Sequence, residues 1–133
     1  MKASEVKVTV ATNADPEFYR LLGPFLGRRE VAKMLGGPMW DDDGKTWFIA
    51  QTGTQVTGFV GVTTGRGLAV VESCYVDGDD RLAARLIGRA VAAANPTPCV
   101  ATVRRENAAP YLAAGFVQAG ETTNFVKLIR KGA

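Results

Sequence analysis

Apolar and polar residues alternate at the start of the chain. Val6, Val8 and Val10 are interleaved with Lys7 and Thr9, the period-two pattern of a half-buried strand. Asn13-Ala14-Asp15-Pro16 reads as a turn, with Asp15 as a candidate N-cap and Pro16 at the first helical position. From Glu17 to Leu26 the period becomes helical and puts Phe18, Leu21, Leu22 and Phe25 on one face; Gly23-Pro24 ends or bends that helix. A second short helix is predicted from Arg28 to Leu35, with Val31, Met34 and Leu35 inward and Gly36-Gly37-Pro38 as its stop. The chain then turns strand-rich. Trp47 to Ala50 and Val56 to Val62 flank the hairpin signal Thr52-Gly53-Thr54, and Leu68 to Val76 follows Gly65-Arg66-Gly67, so a three-stranded antiparallel meander is expected.

After Asp77-Gly78-Asp79-Asp80 the pattern is helical again. Leu82, Leu86, Ala90, Val91 and Ala94 share one face, while Arg81, Arg85 and Arg89 step along another; Asn95-Pro96-Thr97-Pro98 ends the helix. Cys99 to Val103 is a short apolar strand, expected to lie parallel to the one before the helix because a crossover joins them. Arg104 to Asn107 reads as a loop and Ala108 to Ala114 as a short helix capped by Gly115. Phe116-Val117 and Asn124 to Ile129 are the last strands, joined through Gly120-Glu121-Thr122-Thr123. The order β-α-α-β-β-β-α-β-α-β-β is one mixed α/β domain over residues 1–133. Its sheet should be mostly antiparallel with one parallel pair, flanked by about four helices.

Composition narrows the chemistry. With 47% hydrophobic and 22% charged residues in 133, the chain can bury a core and is not of disordered type. It has no apolar run of membrane-spanning length, and Met1 to Glu5 lacks signal-peptide character; both favour a cytoplasmic location away from membranes. Histidine is absent, which removes His-based triads and His-containing metal sites. The two cysteines, Cys74 and Cys99, are far apart and read as reduced core thiols, and Asp41-Asp42-Asp43-Gly44 reads as a solvated acidic turn, so no metal is expected. A net charge of +3 suits an anionic ligand or a polyanionic partner without selecting either.

Two segments carry functional content. At Tyr75-Val76-Asp77-Gly78-Asp79-Asp80-Arg81 a strand runs into a helix, whose free N-terminal amides attract anions, next to the crevice that a parallel crossover opens if its strands splay. Asn107-Ala108-Ala109-Pro110-Tyr111, continuing to Gly115-Phe116, brings a phenol back toward that crevice. The element order and the late Tyr-x-x-x-Gly-Phe resemble the GCN5-related N-acetyltransferase superfamily. The resemblance spans nearly the whole chain in element order and two short segments in motif. It implies acetyl-CoA, or another acyl-CoA, lying between a splayed parallel pair, with the pyrophosphate on the amides of a Gln/Arg-x-x-Gly-x-Gly/Ala loop.

On this sequence that loop is degenerate. Across Gly78 to Ala83 only Ala83 fits: Gly78 stands in place of Gln or Arg and Arg81 in place of the central Gly. Asp79 and Asp80 would set carboxylates beside a diphosphate, or else simply cap the helix. The resemblance implies cofactor contacts from Cys74, Tyr75, Val76, Gly78, Arg81, Leu82, Ala83, Ala84 and Asn107, and gives Tyr111 the role of protonating the leaving thiolate. The alternative for Tyr111 is packing between helix and sheet.

Glu72 is the one carboxylate in the apolar run Leu68 to Cys74, on the face of Val70 and Cys74 by strict alternation. Such surroundings should raise its pKa, as a general base requires; pairing with an Arg or a place at a sheet edge is the alternative. Phe25, Trp40 and Trp47 are either acceptor-pocket aromatics or core. The reading is an N-acyltransferase that moves an acyl group from CoA to an amine. One rival is a DNA-base-modifying relative, with Arg28, Arg29, Lys33, Arg104 and Arg105 toward DNA; another is a non-catalytic binder on the same fold. Exposed edge strands make a homodimer one further expectation.

Overall fold

A computed structural model describes residues 6–37, 39 and 43–132. The readings of Met1 to Glu5, Pro38, Trp40, Asp41 and Asp42 fall outside the described residues. The elements run β1 (Val6–Ala11), α1 (Pro16–Leu22), α2 (Arg29–Leu35), β2 (Lys45–Thr52), β3 (Gln55–Thr64), β4 (Ala69–Val76), α3 (Asp80–Ala94), β5 (Cys99–Arg104), α4 (Ala109–Ala113), β6 (Val117–Glu121) and β7 (Phe125–Arg130). The predicted order is the observed one. Three local readings change. Arg105–Asn107 is a 3-10 turn rather than open loop. Strand β6 continues through Gly120-Glu121 by a register shift between Gln118 and Gly120, so the turn falls after Glu121. Asp15 precedes α1 but its carboxylate turns back to accept from the Thr12 amide at 2.8 Å instead of capping the helix.

Among the described residues the seven strands form one sheet in the order β1-β2-β3-β4-β5-β7-β6. Every neighbouring pair is antiparallel except β4 and β5. Alternation along the strands gives the sheet two apolar faces. One packs under α3 and α4 through Leu82, Leu86, Ile87, Ala90 and Tyr111 against Val60, Val71, Ala101 and Leu128. The other lies under α1 and α2 and holds Phe18, Leu22, Val31, Trp47, Ile49 and Phe59. Burying each large apolar side chain contributes about 1.5–3 kcal/mol, so both faces are needed to order a chain this size. Trp47 is fully buried between Phe18 and Phe59, which makes it core and removes it from any acceptor pocket. Phe25 is half-buried against Phe59 and Tyr75 on the same face.

Candidate active site

Strands β4 and β5 pair only at Ala69↔Cys99 and Val70↔Val100. Beyond those residues β4 stays with β3 as far as Val76, and β5 stays with β7 as far as Arg104, so their carboxyl ends diverge. The divergence has a local cause in β4. Ser73 has φ +57, and the register against β3 jumps from Phe59↔Tyr75 to Gly61↔Glu72, leaving one extra residue in β4. A bulge of this kind bends its strand and increases the twist, which turns β4 away from β5. Gaps at the carboxyl ends of parallel strands are where ligands of open α/β sheets bind.

The bulge also changes which way side chains point. Val71 before it and Cys74 and Val76 after it all pack on the α3 side, while Tyr75 packs on the α1 side. The expectation that Glu72 shares a face with Cys74 is therefore corrected: the extra residue breaks strict alternation. Tyr75 stacks on Phe59 at 5.4 Å between ring centroids, so its side chain leaves the gap.

A cavity of about 80 Å³ occupies the gap, walled by Ser73, Cys74 and Val76 on one side and by Thr102 and Val103 on the other. Tyr111 on α4 also lines it. The ring is 2% exposed and packs edge-on against Phe116 at 5.5 Å, yet the hydroxyl makes no hydrogen bond among the described residues. Burial holds its pKa well above the usual phenol value, with electrostatic contributions from Cys74 and Glu72, so it remains a proton donor. Burial likewise pushes the Cys74 thiol up to about 12, with Asp80 adding to the effect, and a thiol of that kind is no nucleophile.

Glu72 is not isolated in apolar surroundings. Its Oε1 lies 2.6 Å from Lys45 Nζ, and its side chain is 43% exposed, against 1% for Lys45. The partner is thus a lysine from β2, where an arginine was the alternative considered from sequence.

At the β4–α3 junction the free amides expected at the helix start already have an acceptor. Asp79 Oδ1 accepts from Arg81 N at 3.0 Å and from Leu82 N at 3.2 Å, a side-chain N-cap. Arg81 and Gly78 are exposed and stand off the cavity, Leu82 is in the core and Ala84 is half-buried beside it. Of that segment Ala83 reaches the cavity wall, together with Asp80, for which the sequence offers either a carboxylate beside the diphosphate or a helix cap.

The remaining wall comes from α2. Asn107 Nδ2 donates to the Met34 carbonyl at 2.7 Å and Arg104 Nη1 to the Lys33 carbonyl at 2.8 Å. These bonds hold the carboxyl end of α2 over the gap, where Met34 and Leu35 line the cavity. Met34 is 41% exposed, so its expected inward packing is corrected. Neither residue was flagged as a site residue; the donors that seat them are distant in sequence and leave no local signature. The basic groups offered to DNA are largely committed. Arg28 pairs with Glu30, Arg104 with Glu106, and Arg105 with Glu121 and the carbonyls of Thr122 and Thr123.

Among the described residues the fold is a seven-stranded mixed sheet whose one parallel pair splays beside a bulged strand, the fold of N-acetyltransferases. Solved structures bear this out over nearly the full chain. An acyl-CoA N-acyltransferase from Pseudomonas aeruginosa superimposes with a TM-score of 0.72 at 20% identity, covering 95% of this chain and 99% of that one. An acetyltransferase of the GNAT family from Streptococcus pneumoniae gives 0.69 at 18%, covering 94% and 97%. The Campylobacter jejuni N-acetyltransferase PseH, in complex with acetyl coenzyme A, gives 0.60 at 16%, covering 97% and 100%. No family model and no curated protein matches the sequence. The chain has the GNAT fold.

Proposed function

We propose that the chain is an acyl-CoA-dependent N-acyltransferase whose acceptor is an amine. The observation that carries this reading is the cavity between β4 and β5, with the buried phenol of Tyr111, unbonded among the described residues, at its wall. The similarity to a structure described as in complex with acetyl coenzyme A supports the same co-substrate here. In this reading Cys74 and Val76 flank the pantetheine arm and Asn107 meets it from the opposite side. Glu72 faces the α1 side of the sheet and Tyr111 the α4 side, so base and acid serve opposite sides of the gap. The amine nitrogen bonds to the thioester carbon as the C–S bond breaks. Glu72, directly or through water, takes the proton the amine loses, and Tyr111 gives its own to the departing sulfur. Acid–base assistance of this type contributes about 10²–10⁴-fold.

A second reading, a non-catalytic domain on the same fold, is favoured by the Asp79 carboxylate that already caps the α3 amides. Isothermal titration with acetyl-CoA, followed by a thiol-release assay with amines, separates the two. Saturable binding and CoA release support transfer. No heat and no thermal shift at millimolar acetyl-CoA would remove it.

A further inference from the structure

We propose that Lys45 is a positioning residue for Glu72, holding one carboxylate oxygen so that the other is presented to the acceptor amine. This rests on the acyl-transfer reading above and adds to it a residue on β2, outside the gap itself.

Lys45 is the buried charged residue among the described ones, at 1% exposure. Burying an ammonium costs several kcal/mol even after relaxation, and an apolar residue of the same shape commonly serves stability as well or better. Packing alone therefore does not explain a lysine here. The surroundings are built to admit it. Trp47, Gly61 and Glu72 lie in one row across β2, β3 and β4, and the row belongs to the α1 side. The Lys45 stem crosses that row over Gly61: a Cβ there would stand 3.0 Å from Lys45 Cδ and 3.3 Å from ring carbons of Trp47. The ammonium lies 5.3 Å from the Trp47 ring centroid and 2.6 Å from Glu72 Oε1. Glycine gives the room, the indole supports the charge, and the carboxylate receives it.

The pair is one-sided. Its cation is hidden and its anion is 43% exposed. Oε2 of Glu72 takes no hydrogen bond among the described residues, while Oε1 is held. A carboxylate fixed by one oxygen reaches an incoming N–H with the other without first losing rotamer freedom, and misplacement of such a group by about 1 Å can cost 10²-fold in rate.

The test uses Lys45→Met and Glu72→Gln, singly and together. Acetyl-CoA is the donor, spermidine, cadaverine and a lysine-containing tripeptide are the acceptor probes, and thiol release is the readout. Lys45→Met should lower kcat by about ten- to a hundredfold while KM and calorimetric Kd for acetyl-CoA stay within about twofold. In the Glu72→Gln background the same change should add little further loss, because in this proposal the lysine acts on the reaction through that carboxylate. Wild-type kcat in Lys45→Met, or losses that multiply independently, overturn the proposal. Glu72→Gln leaves a buried ammonium without its carboxylate; if that variant does not fold, Gly61→Ala replaces it. That change keeps both charges but displaces the stem, so it should lower kcat with KM unchanged, and an unaffected kcat overturns the proposal equally. Wild-type protein that releases no thiol with any probe is a different result: it removes the acyl-transfer reading itself.

Discussion

The carboxylate of Asp79 holds the backbone amide of Leu82 at 3.2 Å, at the helix end to which the proposed acyl-CoA reading brings a diphosphate. An anionic ligand must share those amides with a side chain of its own sign. Asp79→Asn separates the two effects, since asparagine caps a helix about as well as aspartate but carries no charge. Removing one like charge at about 4 Å in water is worth roughly 1 kcal/mol, or about fivefold. Titration of Asp79→Asn should therefore show tighter acetyl-CoA binding with little change in melting temperature, and the gain should shrink as salt is added. Weaker binding would mean that Asp79 assists the ligand.

Tyr111 supports a prediction about rate rather than affinity. Its phenol is buried, unbonded among the described residues and kept protonated by its surroundings. Tyr111→Phe removes the hydroxyl and preserves the ring packing on Phe116. The expected outcome is a fall in kcat of about 10²-fold with unchanged Kd for acetyl-CoA. Steady-state kinetics with calorimetry in parallel checks it; an unaffected kcat would return Tyr111 to a packing role.

Element order was legible in the sequence because it depends on periodicity, and α3 and the β2–β3–β4 meander have strong periods. The site was legible only in part. Tyr111, Asn107, Cys74 and Val76 were placed by a short motif and by strand position, and all four line the cavity. What failed to read were features set by backbone geometry or by contacts distant along the chain. Ser73 adopts a positive φ that no glycine announces, and the resulting bulge puts Glu72 and Cys74 on opposite faces. Lys45 reads in sequence as an ordinary charged residue before a strand. Its burial follows from Gly61, one strand over, and its partner lies on the strand beyond. Trp47 looked available for a pocket because neither its opposing helix nor Phe59 could be docked from pattern alone.

Stability should fall on the alkaline side. Burial pushes the Cys74 thiol up from its ordinary 9.0 to about 12 and the Tyr111 phenol well above 10.0. Above pH 9 the unfolded chain therefore holds fewer protons than the native one, and stability decreases as pH rises. Their contribution is complete below the unfolded values and is lost as pH climbs through the folded ones. Urea midpoints should drop between about pH 8 and about pH 10.5, and Cys74→Ala should flatten the slope by its share. A flat profile in wild-type protein counts against the raised pKa of the half-buried Cys74 and the enclosed Tyr111. Iodoacetamide should label Cys74 slowly at neutral pH for the same reason.

The last prediction concerns access. A cavity of about 80 Å³ is smaller than the 300 Å³ or so of ordinary small-molecule sites, and α2 narrows it through Met34 and Leu35. That end of α2 is held by the Arg104 and Asn107 donors and stopped by Gly36, whose φ of +84 suits glycine. An added Cβ on Gly36 would also come within 2.7 Å of the Phe125 ring, so the helix end has one tight seat on β7 and β5. Ligand entry then requires the α2 end to shift, and apparent affinity is reduced by the fraction of molecules in which it has not. Arg104→Ala removes one of the two donors; Arg104 is not itself in the cavity wall, but its ion-pair partner Glu106 is, and the change frees that carboxylate. Stopped-flow mixing with acetyl-CoA should show association faster by several-fold, about what loss of a roughly 1 kcal/mol hydrogen bond predicts, with dissociation less affected. If association is unchanged while hydrogen exchange shows the α2 end loosened, entry does not pass beneath α2, and the opening must lie at the α3 side of the gap.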